Sequence, residues 1–239
     1  MKMILAILLS VMMILTIGAC GKKEEQNNSG ATADNQFTGE WIGVGGDLFG
    51  MAMTAEEAAA YTLTVNSDGK AVLTTDGEPL ETTWESAGDT ITLKVEVLDE
   101  ESAGTLSDGA IQFEDLLGLG INIYFAKEGT DAADPSLYIP EADKAMIGTW
   151  KSYAVTDILD DDASAIIPAD SLTITFNGDY TADIDIGELK ITGESWTLYD
   201  GYGFLTDSDY DITWDVTGDE IVVSYYDGND TYKFTCKKA

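Results

Sequence analysis

The sequence predicts an all-β protein: two tandem small antiparallel meander β-barrels that follow a signal peptide and a flexible tether. Three observations carry this. First, apolar and polar residues alternate with period two. Ile91, Leu93, Val95 and Val97 share one face and Thr90, Thr92, Lys94 and Glu96 the other. Tyr180, Ala182, Ile184 and Ile186 oppose Thr181, Asp183 and Asp185, and Ile121, Ile123 and Phe125 form a further face. Such alternation marks half-buried strands. Second, turn signals punctuate the strands, among them Asp68-Gly69, Asp76-Gly77, Gly88-Asp89, Asp108-Gly109, Asn177-Gly178, Gly218-Asp219 and Asp227-Gly228. Asp-Gly and Asn-Gly supply the positive φ angles of tight hairpins, and many short strands so joined form a meander, closed or nearly closed. Third, the pattern occurs twice along the chain.

The chain opens on a lysine at position 2, an apolar run from 3 to 17, and then Gly18, Ala19 and Cys20. A charged start, a short apolar core and small residues describe a secretory signal over 1–19. The run is shorter than the roughly 20 residues of a membrane-spanning helix. Ile17-Gly18-Ala19-Cys20 resembles the bacterial lipobox, which implies cleavage between Ala19 and Cys20 and lipidation of Cys20. Several acyl chains on one cysteine hold a protein firmly, each buried methylene contributing about 0.8 kcal/mol. Residues 20–36 then read as the lipidated cysteine and a tether rich in Asn, Gly, Ser, Gln and charge, too polar to order itself.

Composition excludes much. Of 239 residues, 44 are acidic and 12 are basic, all of these Lys; there is no Arg and no His, and the net charge is −32. That charge keeps a protein soluble and repels nucleic acid and anionic head groups. Without His, the commonest acid–base residue and the usual nitrogen ligand for transition metals are missing, and Ser-His-Asp or Cys-His catalysis is excluded in its standard form. No cofactor and no enzymatic activity are expected. With Cys20 lipidated, Cys236 has no partner for an intramolecular disulfide, and the alternation of Tyr232, Phe234 and Cys236 with Lys233, Thr235 and Lys237 places it on an apolar face.

The first β domain spans 37–129. It begins Phe37-Thr38-Gly39-Glu40-Trp41, then has an insert in which Thr54 and Glu57 stand at capping-box spacing ahead of Ala58, predicting a short helix. The run Tyr61-Thr62-Leu63-Thr64-Val65-Asn66, leading into Asp68-Gly69, and the hairpin of Trp84 follow. Residues 130–145, with Pro135 and Pro140, read as the linker. The second domain, 146–239, repeats the order: Met146-Ile147-Gly148-Thr149-Trp150, an acidic insert over 157–171 ended by Pro168, the run Leu172-Thr173-Ile174-Thr175-Phe176-Asn177 leading into Gly178-Asp179, and the hairpin of Trp214. Each half closes on an aromatic strand with Lys near its end.

A Gly-x-Trp on the first strand (Gly39/Trp41 and Gly148/Trp150), an insert, and then hairpins resembles the lipocalin-like, or calycin, domains. More closely, the pattern is similar to the small domains of this kind found, sometimes in tandem, in lipoproteins of Gram-positive anaerobic bacteria. The resemblance implies barrels that are small or partly open, and Trp41 and Trp150 are either core plugs or ligand contacts. Full-size lipocalins pack an Arg over this Trp, and this chain has no Arg.

Three sets of residues are candidates for a site. Leu48, Phe49, Met51 and Met53, together with Leu116, Leu117 and Leu119, either line an opening for an apolar ligand or fill a barrel end. Asp160, Asp161 and Asp162, like Asp207, Asp209 and Asp211, are either oxygen ligands for a hard cation or solvated acidic loops. Tyr199, Tyr202, Tyr225 and Tyr226 are either exposed stacking surfaces or ordinary strand residues. A pair of carboxylates suited to glycoside hydrolysis carries no information among so many acids. The expected protein is lipid-anchored at the extracytoplasmic face of the cell membrane. It is expected to act as a binding module for a small apolar ligand or cell-envelope component. The alternative is a non-catalytic structural or protein-interaction lipoprotein.

Overall fold

The computed structural model describes residues 36–96, 98–206 and 208–239. The expectations placed on the signal, Cys20 and the tether before residue 36, and on Val97 and Asp207, lie outside the described residues.

Two eight-stranded antiparallel barrels stand in tandem. The first comprises β1 (Gly39–Leu48), β3 (Tyr61–Val65), β4 (Lys70–Thr75), β5 (Glu78–Ala87), β6 (Thr90–Val95), β7 (Glu100–Ser107), β8 (Ala110–Phe113) and β9 (Ile121–Ala126), closed by pairing of β1 with β9. A short β2 (Met51–Ala52) folds back on the end of β1. The second comprises β10 (Gly148–Asp157), β11 (Leu172–Phe176), β12 (Thr181–Ile186), β13 (Leu189–Tyr199), β14 (Tyr202–Thr206), β15 (Ile212–Thr217), β16 (Glu220–Tyr226) and β17 (Thr231–Lys238), closed by β10 on β17. The repeat seen in the sequence is therefore a repeat of whole barrels.

Closure depends on the long first strand of each barrel. β1 gives residues 39–42 to β3 and residues 42–48 to β9, with a register shift between Gly43 and Gly45. β10 does the same for β11 and β17, with its shift between Ser152 and Ala154. The extra residue bends the strand so that it can serve both neighbours.

The alternating faces are buried as their pattern requires. Leu63, Leu73, Ile91, Leu93, Ile111, Phe113, Ile123 and Phe125 fill the first barrel and are 0% exposed. In the second, Leu172, Ile174, Ala182, Trp214, Ile221, Val223, Phe234 and Cys236 are equally buried. Phe176 packs between Trp196 and Trp214, with ring centroids 5.2 and 4.8 Å away. At Gly203 a Cβ would lie 2.0 Å from the Trp214 indole, so the glycine provides the room for that ring.

Trp41 and Trp150 plug the base of each barrel at 3% and 5% exposure. Each indole N–H donates at 2.8 Å to the carbonyl four residues earlier, Phe37 or Met146. Gly39 and Gly148 take φ of +128° and +127°, a region that favours glycine, and this turns the chain into the Trp.

The expected helix is α1 (Ala55–Ala59): Thr54 Oγ1 accepts from the Glu57 N–H at 3.1 Å and the Glu57 carboxylate accepts from the Thr54 N–H at 2.8 Å. The linker is built of tight helical turns at Asp131–Ala133 and Pro135–Tyr138, then α2 (Glu141–Met146). It is packed rather than extended. The Tyr138 side chain lies so close over Gly45 that a Cβ there would come within 2.5 Å of it.

Candidate functional site

Residues 49–60 and 158–171 are the inserts that follow the first strand of each barrel. Strand register brings the 114–120 loop to the same end of the first barrel, because Leu48 pairs with Ile121. In the second barrel, register brings together the 158–171, 187–188, 208–211 and 227–230 connections.

The four apolar residues of the first insert do not share one surface. Met53 is buried and belongs to the first core, and Leu48 packs partly against it. Met51 is half-buried in β2. Phe49 is 63% exposed and lies across Gly120. Leu116 and Leu117 are buried as a plug in the barrel end, and the Leu117 N–H donates to Ser102 Oγ at 2.7 Å. Leu119 is partly buried beside them.

The first insert meets the second barrel. Ala52 packs against the second core, and a Cβ on Gly50 would touch the Tyr199 ring at 3.4 Å. Between the barrels a cleft of about 20 Å³ is lined by Val44, Met53, Tyr138, Ile139 and Tyr180. Nearby, Asp143 of α2 is 3% exposed and its Oδ2 has no hydrogen-bond partner. Burial raises its pKa, opposed by the Tyr180 hydroxyl. Burial and the Asp143 carboxylate in turn push the Tyr180 hydroxyl far up. Tyr180 is itself held at φ +64°. No local pattern singled out Asp143, which reads as an ordinary surface residue of a short helix.

The acidic triplet is divided among different partners. Asp160 Oδ1 pairs with Lys233 at 2.8 Å. The Asp162 carboxylate accepts from the Ser164 N–H and hydroxyl at 3.0 and 3.1 Å, which lowers its pKa. The Asp161 N–H donates to Asp157 at 3.0 Å. Asp209 and Asp211 are exposed. Among the described residues no group of three or more Cys, Asp or Glu is arranged to hold a metal ion.

Of the tyrosines, Tyr199, Tyr202 and Tyr226 are exposed, whereas Tyr225 packs partly against the second core. A shallow depression of about 190 Å³ on the outside of β11–β13 is lined by Thr173, Thr175, Asp183, Lys190 and Thr192 with Ile184 and Ile191. Cys236 is fully buried, and desolvation pushes its thiol up to about 12, so it is a packing residue.

Sequence reasoning missed Ile158, Leu159 and Ile166, which are 63%, 77% and 74% exposed on the second insert. The available signal was the paired aliphatics Ile158-Leu159 and Ile166-Ile167, set in an acidic stretch without alternation.

Among the described residues no helix is long and apolar enough to cross a membrane. No protein-family model matches this chain. The search of curated proteins returned no match either.

Proposed function

We propose that the chain is a lipoprotein anchored through Cys20 at the extracytoplasmic face of the membrane, and that its two lipocalin-like barrels form a non-catalytic protein-interaction module. The observation that carries this reading is the filling of both barrels. Aromatic and branched side chains occupy the interior, where a small apolar ligand would need room, and apolar side chains stand instead on outer loops. Exposed apolar groups mark an interaction surface where they gather into one contiguous patch. The lipocalin-like assignment is supported by Lys127 and Lys238, whose ammonium groups lie over Trp41 and Trp150 at 4.7 and 5.7 Å, where that family places an Arg. The lipoprotein assignment is supported by Gly18-Ala19-Cys20 after a short apolar run.

Two measurements test the reading. Native mass spectrometry of residues 21–239, purified gently, is expected to return the bare polypeptide mass; a retained small molecule would restore the ligand-binding alternative. Cys20→Ala is expected to release the full chain from membranes or leave its signal uncleaved. A cleaved variant that stays membrane-bound would overturn the anchor.

A further inference from the structure

Each barrel carries its long insert at the same end, but the two ends meet different surroundings. The insert of the first barrel packs in part on the second: Ala52 packs on the second core and Gly50 lies beside Tyr199, while Phe49 stays exposed. On the insert of the second barrel, Ile158, Leu159 and Ile166 are exposed.

The loop that carries them is well braced. Thr156 and Asp162 form a β-bridge, the Asp157 N–H donates to the Asp161 carbonyl at 2.9 Å, and Asp157 Oδ1 accepts from the Leu159 N–H at 2.8 Å. Lys233 ties the tip to β17 through Asp160. Ile158 and Leu159 are thus held out at an ordered tip, while Ala163 from the same loop is buried in the core.

The surroundings are acidic. Asp161 and Asp170 flank the aliphatics on the loop, and register brings Asp209, Asp211, Asp227 and Asp230 to the same end. None of these connections contains a basic residue. Lys233, on the neighbouring strand, is paired with Asp160.

Resting on the interaction-module reading, we propose that this end of the second barrel is the docking surface and that its occupant is a basic protein segment bearing apolar side chains. The aliphatics select an apolar face and the carboxylates select cations around it. Charge alone would not choose this end, since the whole chain carries −32; the aliphatic triplet does. The same charge repels a second copy of the chain.

The test uses residues 21–239, which contain both closed barrels, titrated with an amphipathic peptide of Lys and Leu and with a Lys-Ser peptide of equal charge. The Lys-Leu peptide is expected to bind roughly tenfold tighter or better. The combined Ile158→Ser, Leu159→Ser, Ile166→Ser variant is expected to abolish that advantage while keeping its thermal transition, because all three side chains are exposed. A variant that keeps the advantage overturns this surface and leaves the interaction-module reading standing. Equal binding of the two peptides by the parent also overturns it. Self-association in sedimentation that the triple variant abolishes overturns the basic occupant in favour of a second copy. A small molecule retained in native mass spectrometry bears on the module reading instead.

Discussion

The Lys127 ammonium lies 4.7 Å from the centroid of the Trp41 indole and donates to the Thr38 carbonyl at 3.1 Å. The last strand of the barrel is thereby tied to the first at the base. Lys238 repeats this over Trp150 at 5.7 Å, donating to the Ala145 carbonyl at 2.8 Å. Gly39 and Gly148 lie beneath the lysine side chains, so a Cβ at Gly148 would come within 2.9 Å of Lys238. In a chain without Arg, Lys caps the tryptophan.

Lys127→Met is expected to lower stability by about 1 kcal/mol, the scale of a partly exposed cation–π contact with one hydrogen bond. Lys127→Arg should retain most of it. Urea unfolding followed by tryptophan fluorescence measures both. If the Met variant unfolds at the parental midpoint, the contact contributes nothing.

Gly203→Ala is expected to destabilise the second barrel by about 1–3 kcal/mol, the usual cost of overpacking. The added Cβ meets the Trp214 indole at 2.0 Å, and Trp214 is fully enclosed. Gly201→Ala, two residues away, has open space around its Cβ but stands at φ +81°, so its cost comes from backbone strain alone. Near-UV circular dichroism separates the two: only Gly203→Ala should disturb the Trp214 signal.

Asp143 makes stability depend on pH. Burial raises its folded pKa above the ordinary 3.8, so the folded state holds the proton more tightly than the unfolded chain. The stability from this group is fully present below the unfolded value and is lost as pH rises through the folded one. Asp143→Asn should match the parent near pH 3 and exceed it near neutrality by about 1 kcal/mol, the scale of an unsatisfied buried polar group. Urea midpoints of both proteins at the two pH values decide this. A constant difference between them would refute it.

Cys236 is expected to resist alkylation in the native state and to react fully once the barrel is unfolded. It is 0% exposed, and burial raises its thiol to about 12, which leaves little thiolate at neutral pH. Iodoacetamide labelling of residues 21–239 with and without urea, read by mass, checks this. Rapid native labelling would mean that β17 opens readily.

Much of the fold was legible because strand signals are local. Ile91, Leu93 and Val95 announce a buried face by their spacing alone, and Thr54 with Glu57 announces a helix start. Trp41 and Trp150 could be matched because the repeat preserves their distance from later strands. The contacts between the barrels were not legible. Tyr138 over Gly45 and Ala52 against the second core join residues with no shared periodicity. Ile158 and Leu159 were hidden for a related reason: the exposure of an aliphatic pair in a loop depends on what covers the loop.

The sequence by itself determined the class of the protein: all-β, two barrels in tandem, each opened by a Gly-x-Trp, strongly acidic and without His or Arg. Period-two alternation and turn residues act between near neighbours, so they are written in the order of the chain. Only the tertiary structure decided that the barrels are filled, that lysines cap the tryptophans, and that the first insert packs partly on the second barrel while Ile158, Leu159 and Ile166 of the second stand exposed. These outcomes depend on volume and on pairings across long separations, which exist only once the strands have closed.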